Sequence, residues 1–132
     1  MPYRWMDVSF TAPEGRDEST VVIVDVASPP SWNLTARADE LPGGDAAFAA
    51  YVAAQKPAEG VAVDQTTERV VAGRKTVIVD QHLRVDRQIM RQQQALVLDG
   101  TRVLVVTITY RETAAVHARK AFATVLDTLT WT

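Results

Sequence analysis

Residues 76–110 hold three long β-rich runs in succession, 76–84, 88–98 and 101–110, and no other stretch restricts the fold as much. Val85-Asp86-Arg87 separates the first two runs and Asp99-Gly100 the second pair. Asp-Gly between β-rich runs signals a two-residue hairpin, because a type I′ turn needs positive φ at both central positions. With Asp99-Gly100 as the loop, counting outward sets the register. Val97 then faces Arg102, Ala95 faces Leu104, Gln93 faces Val106, Arg91 faces Ile108 and Ile89 faces Tyr110. On the opposite face Leu96 meets Val103, Gln94 meets Val105, Gln92 meets Thr107 and Met90 meets Thr109. The first face carries Leu104, Val106, Ile108 and Tyr110 and calls for a covering helix. The second mixes Leu96, Val103 and Val105 with uncharged Gln92, Gln94, Thr107 and Thr109. Two readings stay open for it: an ordinary half-exposed antiparallel sheet, or a broad docking surface.

The remaining elements follow from periodicity and breakers. Strands are expected at 6–11, closed by Ala12-Pro13-Glu14-Gly15, at 19–27, broken by Pro29-Pro30, and at 32–38. A helix over 46–56 has Asp45 as its N-cap, Phe48, Tyr51 and Val52 on one face, and Pro57 as its stop. The run 61–71 is polar in its middle and reads as a strand near an edge. A second helix, 113–128, shows an apolar stripe of Ala115, Val116, Phe122, Val125, Leu126 and Leu129, with Arg119 and Lys120 outside it. With 132 residues the chain makes one domain, 1–132. The expected fold is α+β, an antiparallel sheet of about seven strands with two helices packed on one face and the other face wholly or partly open.

Several function classes are disfavoured. A net charge of −2 leaves no basic footprint for nucleic acid, and the absence of cysteine removes thiolate metal sites and cysteine nucleophiles. The amino terminus lacks the pattern of a signal peptide, and no apolar run approaches the roughly 20 residues of a spanning helix, so a cytoplasmic protein without membrane insertion is expected. Asp80 and His82, two apart in a strand, share a face and would make a base with its orienting carboxylate. No nucleophile elbow or metal-ligand spacing accompanies them. Gly43-Gly44 before a helix reads as a cap, and His117 as solvated.

Taken together, certain segments form a pattern. A first strand closes in Pro13-Glu14-Gly15. The strand Trp32-Asn33-Leu34-Thr35-Ala36-Arg37 runs into Asp39-Glu40-Leu41-Pro42-Gly43-Gly44 and an Ala-rich helix. An Ala72-Gly73-Arg74 turn precedes Gln92-Gln93-Gln94-Ala95-Leu96-Val97, Asp99-Gly100, Val103-Leu104-Val105-Val106-Thr107 and a closing helix. Over nearly its whole length the chain resembles the DcrB-like family, and within it the Eag chaperones of bacterial type VI secretion. The resemblance implies a Mog1/PsbP-like fold, a homodimer, no catalysis and no cofactor. It also implies a function: clasping the hydrophobic amino-terminal transmembrane segments of a secreted effector before loading on the secretion spike. DcrB lipoproteins carry a signal and lipobox, which this sequence lacks, favouring the cytoplasmic chaperone branch.

The surface expected to bind the client consists of Val22, Val24, Leu96, Val103 and Val105 for apolar contact, with Thr35, Gln92, Gln94 and Thr107 for hydrogen bonds. Val22 and Val24 are placed outward by strand parity; a one-residue slip would exchange them for Val21 and Ile23. A generic protein-binding module of the same fold and a small enzyme using Asp80 and His82 are the competing readings.

Overall fold

A computed structural model describes residues 2–5, 8–11, 15–19, 22–25, 32–55 and 59–131, with the side chains of 32–55, 59–84 and 86–130. The segments 12–14, 20–21, 26–31 and 56–58 lie outside these. They include the Ala12-Pro13-Glu14 turn, Val21, Val26, the Pro29-Pro30 break and the Pro57 stop. The strands are β1 (Pro2–Trp5), β2 (Val8–Thr11), β3 (Gly15–Ser19), β4 (Val22–Asp25), β5 (Trp32–Glu40), β6 (Val61–Val71), β7 (Arg74–Val85), β8 (Gln88–Asp99), β9 (Arg102–Arg111) and β10 (Thr130–Trp131). The helices are α1 (Asp45–Ala54), between β5 and β6, and α2 (Ala115–Asp127), entered through a 3-10 turn at Glu112–Ala114. Seven strands form an antiparallel sheet in the order β3-β4-β5-β9-β8-β7-β6, and β1, β2 and β10 form a small second sheet. The fold class and the edge position of β6 are as expected. The short strands β1, β3 and β10 are additions, too brief to leave a periodic signal.

The central hairpin differs from expectation by two residues. Asp99 pairs with Arg102, Leu98 with Val103 and Val97 with Leu104, so Gly100-Thr101 is the loop. Of these two only Gly100 takes positive φ, at 61°. That is the type II′ pattern, which wants glycine first, so the turn advances by one residue and the register by two. Asp99 remains in the strand, where its carboxylate accepts from Arg74 Nε at 3.1 Å and Arg102 Nε at 2.6 Å. A shift of two keeps every side chain on its assigned face, because strand periodicity is two.

The two helices cover opposite faces rather than one. Trp32, Leu34, Ala36, Ile78, Ala95, Val97, Leu104, Val106, Ile108 and Tyr110 pack beneath α2 with its Ala118, Ala121, Phe122, Val125 and Leu126. Val77, Leu96, Val103 and Val105 have the other parity and pack with Leu41 and Phe48, beside Tyr51 and Val52 of α1. The β5–α1 connection is stapled to the β8–β9 turn: Leu41 N–H donates to Thr101 O at 2.7 Å. Gly44 sits so close that a Cβ there would lie 2.7 Å from the Gly100 carbonyl oxygen, at a φ of +52°. Gly44, not Asp45, is therefore the N-cap. Val116, assigned to the α2 stripe, is instead 80% exposed, and Ala118 and Ala121 take the inward positions.

Candidate binding surface

A helix of 10 residues spans about 15 Å, so α1 covers only the end of its face near the β8–β9 turn. Beyond it the register draws two adjacent rows across six strands. One row runs Val63, Gln81, Gln92, Thr109, Asn33, Val24, and the next Thr66, Val79, Gln94, Thr107, Thr35, Val22. None of the twelve residues in these rows carries a charge, and on the seventh strand, β3, the register sets Arg16 opposite Val24 and Ser19 opposite Val22, so a basic residue ends the first row. Neighbouring rows are about 7 Å apart along a strand, and the outermost of the six strands are about 24 Å apart. Those dimensions match one α-helix, about 10 Å across and about 16 residues long, lying over the strands.

The amides within the rows are ordered by one another. Gln81 Nε2 donates to Gln92 Oε1 at 2.6 Å, Gln92 Nε2 to Thr109 Oγ1 at 3.0 Å, and Gln94 Nε2 to Thr107 Oγ1 at 3.2 Å. Gln92 and Gln94 each donate one of two amide hydrogens here, as does Gln81, so among the described residues each keeps a second donor. Charged groups border the rows at their margins: among the described residues Arg111 follows Thr109, Glu68 follows Thr66, and Arg37 follows Thr35 on the same face. At the last of these margins Asp39 accepts from Tyr51 Oη at 2.5 Å and from Arg37. The Tyr51 hydrogen bond, followed by that from Arg37, holds the Asp39 carboxyl below its usual range. Burial, reinforced by Asp39, pushes the Tyr51 phenol up. This cluster pins α1 to β5 and closes one side of the open track.

The expected client-binding residues fall into three groups. Gln92, Gln94 and Thr107 are half-buried on the open track, and Thr35 is exposed beside them. The backbone register sets Val22 opposite Thr35 and Val24 opposite Asn33, which carries the same rows onto β4 and supports the parity chosen for that strand; their side chains lie outside the described set. Leu96, Val103 and Val105 are not available to a ligand. They are 0%, 0% and 1% exposed because α1 occupies that end of the face. Sequence parity placed them on the correct face but carried no sign of which helix lies there. Val63, Thr66, Val79, Gln81, Asn33 and Thr109 complete the rows; none was assigned to the client surface, although strand parity had already set Thr109 on this face, and their alignment is legible only from the cross-strand register.

The Asp80–His82 pair is absent. His82 Nδ1 meets Asp64 Oδ1 at 2.7 Å, while Asp80 Oδ1 accepts from Gln93 Nε2 at 2.9 Å. Residues two apart in a strand stand about 7 Å apart, whereas a cross-strand neighbour lies about 5 Å away. A bulge between Val63 and Gln65 makes Asp64 the extra residue and turns it toward His82. Arg91 spans Asp64 at 3.4 Å and Glu112 at 2.9 Å, tying β6, β8 and the 3-10 turn together. Among the described residues no group of three or more acidic or imidazole side chains is placed to hold a metal ion, and no helix is long and apolar enough to cross a membrane.

Comparison with known proteins adds a fold but no family. No family model matches, and no curated protein matches either. Among solved structures, PA94 of Pseudomonas aeruginosa, a protein of unknown function, superposes with a TM-score of 0.66 at 21% identity, over 98% of this chain and 95% of that one. LpqN of Mycobacterium tuberculosis, involved in cell envelope biogenesis, gives 0.72 at 13% identity, over 95% and 83% of the two chains. The cyanobacterial PsbP protein CyanoP of Synechocystis gives 0.66 at 14% identity, over 100% and 92%. At these identities the fold is what is shared: an α+β, PsbP-like domain.

Proposed function

We propose that this chain is a non-enzymatic cytoplasmic chaperone that holds a hydrophobic amino-terminal segment of a type VI secretion effector and helps load it on the spike. The observation that carries the reading is the pair of uncharged rows on the open half of the sheet. An apolar helix satisfies its own backbone and cannot bring partners for buried charges, so a surface that covers it must be free of them. Gln81, Gln92 and Gln94, already ordered by their neighbours, offer one donor each to small polar residues or to the carbonyls at the helix end. The resemblance to Eag chaperones supplies the identity of the client and the expectation of a homodimer, in which a second copy would supply the opposing wall of the clasp.

A second reading, a PsbP-like module that docks a folded protein, is favoured by one feature: α1 withdraws Leu96, Val103 and Val105 from the surface, leaving a track richer in amide and hydroxyl than in hydrocarbon. Co-expression with the amino-terminal region of an effector encoded beside this gene, followed by affinity capture and sizing, separates the two. The chaperone reading expects a soluble stoichiometric complex that requires the hydrophobic segment and is lost on Gln94→Arg. An effector that stays insoluble while this protein elutes alone rejects it.

A further inference from the structure

The face beneath α2 carries a pocket whose margin also includes Gln81 and Gln92 of the uncharged rows. Past the apolar core, Asp64 of β6, Asp80 of β7, Arg91 and Gln93 of β8, Tyr110 of β9 and Arg119 of α2 surround an open cavity of about 190 Å³. At about 30 Å³ per water in the liquid, this is room for about six waters, or one small organic molecule.

The lining divides into spent and unspent groups. Asp64 is engaged by His82 and Arg91, and Arg91 also by Glu112. These form a closed ion-pair wall. Tyr110 is 1% exposed, and its oxygen accepts from Arg119 Nε at 3.4 Å. The tyrosine's own hydroxyl hydrogen and the two terminal nitrogens of Arg119 have no partner among the described residues. Across from them Asp80 accepts from Gln93 through Oδ1, and its Oδ2 has no partner among the described residues. Asp80 stands near enough that, after the larger effect of Tyr110, it also raises the pKa of Arg119, against an opposing effect of Arg91.

Unspent donors on one side and an unspent carboxylate oxygen on the other select a ligand that has both kinds of charge. A simple anion would gain Arg119 and Tyr110 but face Asp80, and a simple cation would meet the reverse. We propose that the pocket bounded by Asp80, Tyr110 and Arg119 binds a free α-amino acid as its zwitterion. Its carboxylate accepts from Arg119 and the Tyr110 hydroxyl, and its ammonium donates to Asp80. Guanidinium and carboxylate form charge-assisted bonds, the strongest polar contacts available to so small a ligand. Asp80 and Tyr110 have the opposite strand parity to Gln81 and Gln92, so the groups that hold the ligand are not those of the clasp and the two proposals are tested by different variants.

Titration calorimetry of the whole chain with each standard amino acid, and with acetate and methylammonium as single-charge controls, tests this. At least one amino acid binds at millimolar concentration or below, and neither control does. Arg119→Gln and Asp80→Asn each weaken that binding roughly tenfold or more, the loss of one charge-assisted bond, and Tyr110→Phe weakens it less. Arg119 is exposed and Asp80 only half-buried, so both variants keep the core; an unchanged melting temperature confirms this. The proposal is overturned if no amino acid binds, if acetate binds as well as the amino acids, or if Arg119→Gln binds with unchanged affinity.

Discussion

The two faces of the seven-stranded sheet are built from the same strands and use them differently. Under α2 the strands are apolar for most of their length, and five buried residues of the helix close over them. Under α1 the same strands are apolar only near the β8–β9 turn, and the helix contributes a single fully buried side chain, Phe48. The first face is a core. The second is a short core followed by an open, uncharged platform. A sheet with parity-sorted strands can thus fold on one side and bind on the other, the division along each strand being set by where the apolar run stops.

The largest effects test that division. Phe122→Ala empties the continuous core under α2 and should cost about 3–5 kcal/mol in urea unfolding, lowering the whole transition. Phe48→Ala should fall near the bottom of that range, at about 3 kcal/mol, and its distinguishing mark is local. Amide exchange should quicken across α1 and leave α2 protected, because Phe48 is the one fully buried side chain that α1 contributes. Equal loss of protection in both helices would mean that the two cores are one cooperative unit.

How far this division can be read in advance depends on the element. Strand alternation assigns Leu104, Val106, Ile108 and Tyr110 to one face and Gln92, Gln94 and Thr107 to the other, and that assignment survives a two-residue register shift. The position of α1 is not legible, since its alanine-rich sequence suits either face. What decides it is tertiary: the four-residue connection from Leu41 to Gly44, bonded to Thr101. The bulge at Asp64 leaves no pattern either, so its pairing with His82 has no precursor in the sequence. Binding rows that cross six strands are a property of register, and single-strand periodicity does not contain them.

Gly44→Ala sharpens the account of how α1 is seated. It would place a Cβ against the Gly100 carbonyl at a left-handed φ, and should cost about 1–3 kcal/mol, read in the same unfolding assay. Gln94→Arg should do the reverse of the core variants. It loses one hydrogen bond to Thr107 and should change stability by no more than about 1 kcal/mol, while abolishing capture of the hydrophobic segment.

The smallest effect concerns the margin between core and platform. The folded Asp39 pKa is depressed, so its stabilisation is present above the unfolded value of about 3.9 and is lost as pH falls through the lower folded value. The folded Tyr51 pKa is raised, so its contribution is present below about 10 and is lost as pH rises through the higher folded value. The stability difference between the wild type and Tyr51→Phe should therefore be flat from about pH 5 to 9 and shrink at both extremes. A difference that is independent of pH would remove the Asp39–Tyr51 bond from the account.

Site-specific photocrosslinking tests the central claim most directly. A photoreactive residue is placed at Thr107 on the platform or at exposed Val116 on α2, and the protein is mixed with the effector's hydrophobic amino-terminal segment. The account predicts crosslinking from position 107 and none from 116, with the 107 product abolished by Gln94→Arg. Crosslinking from both positions alike, or from 116 alone, would contradict it.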